Sequence, residues 1–196
     1  RQNLKYAVLT SVNRDDLKDG GAEHFSDTIK SIKEKAPQVI IEALVPDFMG
    51  KTRSIETLMD SNLEVFAQNL ETVKRLTKRV RDPRAGYEQT LNVLSYAKEY
   101  NSSIITKTSL MFGLGETEDE IRESFLDIHD SGVDVLTLGQ YMRPTINHLP
   151  VTKWYSPQEF EYYKDIALDI GFLEVASGPM VRSSYRADRI AHLVSS

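Results

Sequence analysis

Short apolar runs alternate along this chain with segments whose apolar residues recur every three or four positions. The runs Lys5–Thr10, Val39–Val45, Leu63–Ala67, Ile104–Phe112, Val133–Leu138 and Phe172–Ala176 read as strands. Between them, Phe25, Ile29 and Ile32 mark a helix from about Gly21 to Lys35. Tyr87, Leu91, Leu94 and Ala97 mark another over Tyr87–Tyr100, and Ile121, Phe125 and Ile128 a third near Thr117–Ser131. Shorter helices are predicted over Arg53–Asp60 and Glu71–Arg79. Pro37, Pro46-Asp47 and Asp82-Pro83-Arg84 interrupt the elements, and Gly132 is placed as a left-handed cap. Ser156-Pro157-Gln158-Glu159 combines a capping Ser, a Pro in the first helical position and a Glu placed to bond back, which predicts a helix from there to about Ile170. The strands are continuously apolar rather than alternating. Strands of that kind, separated by helices, predict an α/β fold with a parallel sheet covered by helices. No repeat beyond the βα period and no linker appears, so 1–196 reads as a single domain.

A parallel sheet places its site at the carboxyl ends of its strands, so the polar residues just beyond each strand are the candidates. They are Ser11, Asn13, Arg14, Asp15 and Asp16 after the first strand and Asp47 after the second. Gln68, Asn69 and Glu71 follow the third. Lys107, Ser109 and the turn Gly113-Leu114-Gly115-Glu116 lie within and after the fourth, and Gln140, Tyr141 and Arg143 follow the fifth. The Gly113–Glu116 turn opens a helix, where free amides favour an anionic or polar ligand edge. It lacks both the third glycine of a dinucleotide fingerprint and the Lys-Ser/Thr of a phosphate loop. A tight structural turn is the other reading. Asp15-Asp16 reads either as an acid/base or metal pair or as solvated helix-capping carboxylates. The tail Ala176–Tyr185 is small and polar, and reads either as an ordinary exposed loop or as a flap over the sheet's mouth.

Composition narrows the chemistry. The net charge of −5 argues against a broad nucleic-acid footprint. The exception is Lys74, Arg75, Lys78, Arg79, Arg81 and Arg84, set against Asp82 alone: a solvated helix face or a docking patch for an acidic partner. No apolar run reaches the roughly 20 residues needed to span a bilayer. His24, His129, His148 and His192 have no metal-ligand spacing, and no Gly-x-Ser-x-Gly nucleophile elbow occurs. There is no cysteine, so this chain cannot itself supply thiolates to zinc or to an iron–sulfur cluster. Arg1-Gln2-Asn3-Leu4 leads almost directly into a buried strand, which suggests a portion of something longer.

Several stretches together carry a resemblance. TSVNRDDLKDGGAEHF (10–25), IEALVPDFMG (41–50), NLETVKRL (69–76), KTSLMFGLGETEDEI (107–121), LTLGQYMRPTINHLPV (136–151) and ASGPMVRSSY (176–185) resemble, in order, the C-terminal two-thirds of the lipoyl synthase family of radical S-adenosylmethionine enzymes. VRDPRAGYEQTLNVLSYAK (80–98) belongs to the same match, and its wording suggests a mitochondrial matrix source; otherwise a cytoplasmic one is expected. The resemblance implies a partial (β/α) barrel of the radical SAM type, here missing its first βα unit. The chain would hold about strands 2 to 6, with 176–196 as a C-terminal extension. It implies two 4Fe–4S clusters and S-adenosylmethionine as cofactors. The reaction would be radical insertion of two sulfurs into a protein-bound octanoyl-lysine, on lipoyl carrier domains or the glycine-cleavage H protein. Carried over by position, Ser11, Asp15 and Asp16 would lie beside the methionine moiety and Asn69 and Glu71 near the ribose. Gly113, Gly115 and Glu116 would border the adenine, while Lys107, Ser109, Gln140 and Tyr141 line the mouth. Ser183, or else Ser184, would ligate the auxiliary cluster, with Arg182 gating that iron. A hard hydroxyl ligand holds such a cluster more weakly than thiolate, which suits one that is dismantled as a sulfur donor.

The departure from the family is the absence of both its cysteine motifs, which implies that this chain alone is inactive. Two other readings stay open: a non-catalytic module that docks carrier domains, and a Schiff-base aldolase using Lys107 with Glu116 or Asp16 as base.

Overall fold

A computed structural model describes residues 4–184 and 190–194. Six strands form one sheet in the order of the sequence: β1 (Tyr6–Thr10), β2 (Ile40–Leu44), β3 (Val65–Ala67), β4 (Ile105–Phe112), β5 (Val135–Gln140) and β6 (Glu174–Gly178). Every neighbouring pair is parallel. The sheet stays open between β1 and β6. A parallel sheet built in strict sequence order, with right-handed crossovers, keeps its helices on one face and curls as a partial barrel. The crossovers are α1 (Ala22–Lys35), α2 (Thr52–Met59), α3 (Thr77–Val80), α4 (Tyr87–Tyr100), α5 (Glu118–Asp130) and α6 (Pro157–Ile170), and a short α7 (Ala191–Val194) lies in the tail.

Sequence signals set several of these boundaries. Ser156 and Glu159 form the expected reciprocal capping box at the start of α6, and Thr117 with Glu120 forms another at α5. Gly132 takes the left-handed conformation that stops α5. The predicted helix from Glu71 begins later. Glu71 adopts a left-handed φ of 72° and bridges to Leu110 beside β4, and the chain becomes helical only at the 3₁₀ turn Lys74–Leu76. The last strand is shifted toward the tail, so residues 176–178 run within the sheet.

The strand faces divide the labour. On the helix side, Ile41, Ala43, Phe66, Leu110, Phe112, Leu136 and Leu138 pack with Phe25, Ile29, Leu94, Phe125 and Phe160 into the main core. On the concave side the register brings together a different set: Glu42, Lys107, Ser109 and Thr137, all buried and polar. Below them, at the amino ends of the strands, Val65, Ile105 and Val135 form a small second cluster closed by Ile190.

Candidate functional site

The chain leaving β3 does not turn away from the sheet. Gln68 N–H donates to the Lys107 carbonyl at 3.1 Å, Glu71 N–H to the Ser109 carbonyl at 2.9 Å, and Met111 N–H to the Glu71 carbonyl at 2.8 Å. These bonds hold residues 68–71 against β4, and the left-handed backbone at Glu71 lets its carboxylate line the mouth. Asn69 Nδ2 donates to Glu71 Oε1 at 3.2 Å. Burial pushes the Glu71 carboxyl above the ordinary carboxylate range, against the opposing Asn69 bond and the positive field of Arg81.

Two cavities meet at this pair. The first, of about 360 Å³, is lined by Asn69, Glu71, Ser109, Met111, Thr137, Gly139, Gln140 and Tyr141, and by Val181, Arg182 and Ser183 from the tail. The second, of about 230 Å³, is lined by Thr10, Ser11, Asn13, Asp47, Gln68 and Arg81 and shares Asn69 and Glu71. Sequence reasoning gave Arg81 no role except within the basic patch. It is half-buried, donates to Thr90 Oγ1 at 2.8 Å and forms no ion pair among the described residues. A guanidinium so placed suits an anionic group entering the second cavity. The signal available in sequence was a cation opening the loop after a predicted helix, which is not distinctive.

The tail lies across the mouth. Val181 N–H donates to the Gly178 carbonyl at 3.1 Å, and Arg182 reaches back to Met142, Nη2 to Sδ, at 3.4 Å. The Val181 carbonyl approaches so closely that a Cβ placed on Gly139 would lie 2.4 Å from it. Gly139→Ala is therefore expected to lift the tail. The cost in unfolding free energy should be about 1–3 kcal/mol, and trypsin should cleave at Arg182 faster than in the parent, both measurable on the purified chain. Tyr185, the last residue of the RSSY motif, lies outside the described residues, and Ser184 is exposed.

The Gly113–Glu116 turn is a scaffold beside the mouth. The Glu116 carboxylate accepts from Gly113 N–H and, at 2.9 Å, from Leu114 N–H, while Arg75 Nη2 donates to the Gly115 carbonyl at 2.8 Å. Gly113 has a φ of 106° and no room for a Cβ, which would sit 2.3 Å from Gln140 Nε2. Gln140 in turn donates to the Phe112 carbonyl at 3.0 Å and accepts from Tyr155 N–H at 3.0 Å, pinning the loop after β5. Tyr141 donates its hydroxyl to the Leu149 carbonyl at 2.9 Å. Gly113, Gly115 and Glu116 line neither cavity.

Three other candidates also stand outside the cavities. Lys107 is enclosed in the barrel interior, 2.8 and 3.0 Å from the two carboxylate oxygens of Glu42, which also accepts from Tyr6 Oη at 2.7 Å. Asp15 pairs with Arg84, and Asp16 pairs with Arg14 at 2.7 Å; both carboxylates are exposed. Half of the basic patch is paired. Lys74 pairs with Glu88, Arg75 with Glu120, and Arg84 with Asp82 and Asp15. Lys78 and Arg79 are the patch's exposed cations without an ion pair among the described residues.

The residues present do not fit an iron–sulfur cluster. The sequence has no cysteine, and among the described residues no group of three or more His, Asp or Glu is placed to hold a metal. Ser183 offers one hydroxyl only, so no step can be derived through a cluster on this chain. The paired cavities instead offer a carboxylate and an amide as hydrogen-bonding groups, with a half-buried guanidinium beyond them.

Comparison with known proteins gives the family and the fold. Residues 1–128 match the Radical SAM superfamily. The chain is 62% identical over 187 residues to a lipoyl synthase of Ectopseudomonas mendocina, covering 95% of this chain and 53% of that protein. It is 60% identical over 190 residues to a lipoyl synthase of Thermus thermophilus, covering 97% and 59%. The chain thus spans little more than half the length of these curated relatives. Both are bacterial, so they lend no support to the mitochondrial expectation. Among solved structures, methylornithine synthase (PylB) superposes with a TM-score of 0.66 at 12% identity, over 94% of this chain and 62% of that one, a likeness of fold. With an open parallel six-stranded sheet and a polar mouth at its strand ends, this chain belongs to the radical SAM superfamily and within it is similar to the lipoyl synthases.

Proposed function

We propose that the chain forms the S-adenosylmethionine walls and the substrate-facing mouth of a lipoyl synthase, a radical sulfurtransferase acting on octanoyl-lysine of a lipoyl carrier domain or H protein. The observation that carries this reading is the convergence of Asn69, Glu71, Arg182 and Ser183 on one cavity, from segments more than 100 residues apart in sequence. Glu71 and Asn69 would accept and donate hydrogen bonds to ribose hydroxyls. Ser11 and Arg81 would hold the amino-acid end in the second cavity, with the guanidinium taking its carboxylate. Ser109, Gln140 and Tyr141 shape the wall and exclude water. When bound and given one electron by a cluster that this chain does not itself ligate, the cosubstrate would supply the hydrogen-atom abstraction that unactivated C–H bonds require, since such bonds give acids and bases no handle. Asp15, Asp16 and Glu116 act at one remove, by holding the loops around the mouth. Lys107 is buried in an ion pair and lines neither cavity, which disfavours the Schiff-base aldolase reading. In a bacterial setting the cytoplasm is the compartment proposed.

The cysteine ligands of the clusters have no counterpart in this chain, so alone it is proposed to be inactive. Joined in one polypeptide to the cysteine-bearing portion that the family resemblance places before it, and supplied with S-adenosylmethionine and a reductant, it should convert octanoyl-lysine on a carrier domain to a product heavier by two sulfurs. Mass spectrometry of the carrier reads this directly. Product from the 196-residue chain by itself would contradict the proposal.

Carrier docking is proposed at Lys78 and Arg79 rather than across the whole basic patch, because Lys74, Arg75 and Arg84 already have acidic partners and Arg81 is half-buried. Reversing both to Glu should weaken carrier binding on the order of tenfold at low salt, with the difference vanishing at high salt. Titration at two ionic strengths checks it; unchanged low-salt affinity would remove the patch from the account.

A further inference from the structure

The tail is anchored twice, at opposite ends of the barrel. At the carboxyl end, Val181 is 6% exposed and its carbonyl rests on Gly139. At the amino end, Ile190 is 3% exposed and packs on Val65, Ile105 and Val135, with Leu193, Val194 and Tyr6 beside it. Val135 and Gly139 sit four residues apart on β5, about 13 Å at ~3.3 Å per strand residue. Nine residue steps separate Val181 from Ile190, so the chain has ample length to cover that distance. The lower anchor is also the floor of the barrel. Without Ile190 the inward faces of Val65, Ile105 and Val135 would open to water, directly below the interior pair Lys107 and Glu42.

We infer that Ile190 is a positioning residue: by plugging the amino end of the barrel it ties down the far end of the tail and so limits the freedom that Val181, Arg182 and Ser183 would gain on leaving the mouth. The coupling is reciprocal, since each anchor shortens the free chain that the other must order. Losing the apolar anchor releases the far end of the tail, while β6 (Glu174–Gly178), which precedes it, stays bonded to β5 through its own ladder.

The absence of cysteine makes a clean test available, because one introduced thiol is the sole thiol in the molecule. Val181→Cys places it under the tail and Val175→Cys places it on β6, both at buried valines. Each is combined with Ile190→Asp and, as a milder change, with Ile190→Ala; Ile190→Leu serves as the conservative rescue. Labelling by a neutral thiol reagent at native conditions should accelerate at position 181 by about tenfold or more with Ile190→Asp, given the burial energy of one large aliphatic side chain. Position 175 should be unaffected, and Ile190→Leu should restore slow labelling at 181. Equal acceleration at 181 and 175 would mean that the whole barrel loosens and would overturn the inference. So would unchanged labelling at 181 in a folded Ile190→Asp or Ile190→Ala chain.

Discussion

Lys107→Met, with Glu42 left in place, is expected to lower the unfolding free energy by about 3–5 kcal/mol, the cost of leaving one buried charge without its partner. Glu42 is fully enclosed and its carboxylate takes two bonds from the Lys107 ammonium. In the variant the Tyr6 hydroxyl would be its remaining hydrogen-bond donor among the described residues. The double change Glu42→Leu with Lys107→Met should recover most of the loss, since a well-packed apolar pair of similar volume can replace a buried ion pair at little cost. Urea unfolding of parent, single and double variants measures this as a coupling between the two sites. The same series separates a structural Lys107 from a reactive one. A Schiff-base amine must be uncharged and open to a carbonyl, whereas this ammonium is engaged and walled in. Equal stability of the single variant and the parent would contradict the interior pairing.

The second large effect concerns Glu71. Its carboxyl is held above the ordinary carboxylate range, chiefly by burial. The sign follows from proton linkage. Between the ordinary carboxylate pKa and the raised folded value, the native state binds more protons than the unfolded state, so stability falls as pH rises through that window and stays lowered at neutral pH. Glu71→Gln removes the buried charge and keeps an oxygen that Asn69 Nδ2 can donate to. The variant should therefore be no less stable than the parent at pH 7, and its stability should no longer decline across the acidic window. At the same time it loses an ionised acceptor for ligand hydroxyls, and such bonds contribute about 1.5–3 kcal/mol. Stability held or raised while affinity falls is the signature of a residue kept for binding rather than for folding.

The contrast between these two residues shows what could be read from the chain. The tail's composition leaves an exposed loop and a flap over the mouth equally open, whereas strand and helix order and the caps at Ser156 and Gly132 follow from local spacing and turn chemistry, which a sequence displays. Partners distant in sequence do not. Lys107 and Glu42 are 65 residues apart and Arg84 and Asp15 are 69 apart, so a reading by position leaves Lys107 at the mouth and Asp15 free for a ligand. Glu71 was placed both after a strand and at a helix start. Only its bridge to β4 decides for the former, because a left-handed non-glycine residue has no sequence signature. Arg81 and Thr137 reached the cavities unannounced, one from inside a basic run and the other from mid-strand.

The central claim is that the mouth holds S-adenosylmethionine through Glu71. Equilibrium dialysis of labelled S-adenosylmethionine against the chain and its Glu71→Gln variant tests it most directly. The account predicts measurable but weak binding to the parent and an affinity at least about tenfold lower in the variant, with both proteins equally folded. Equal affinity in the two proteins would contradict it.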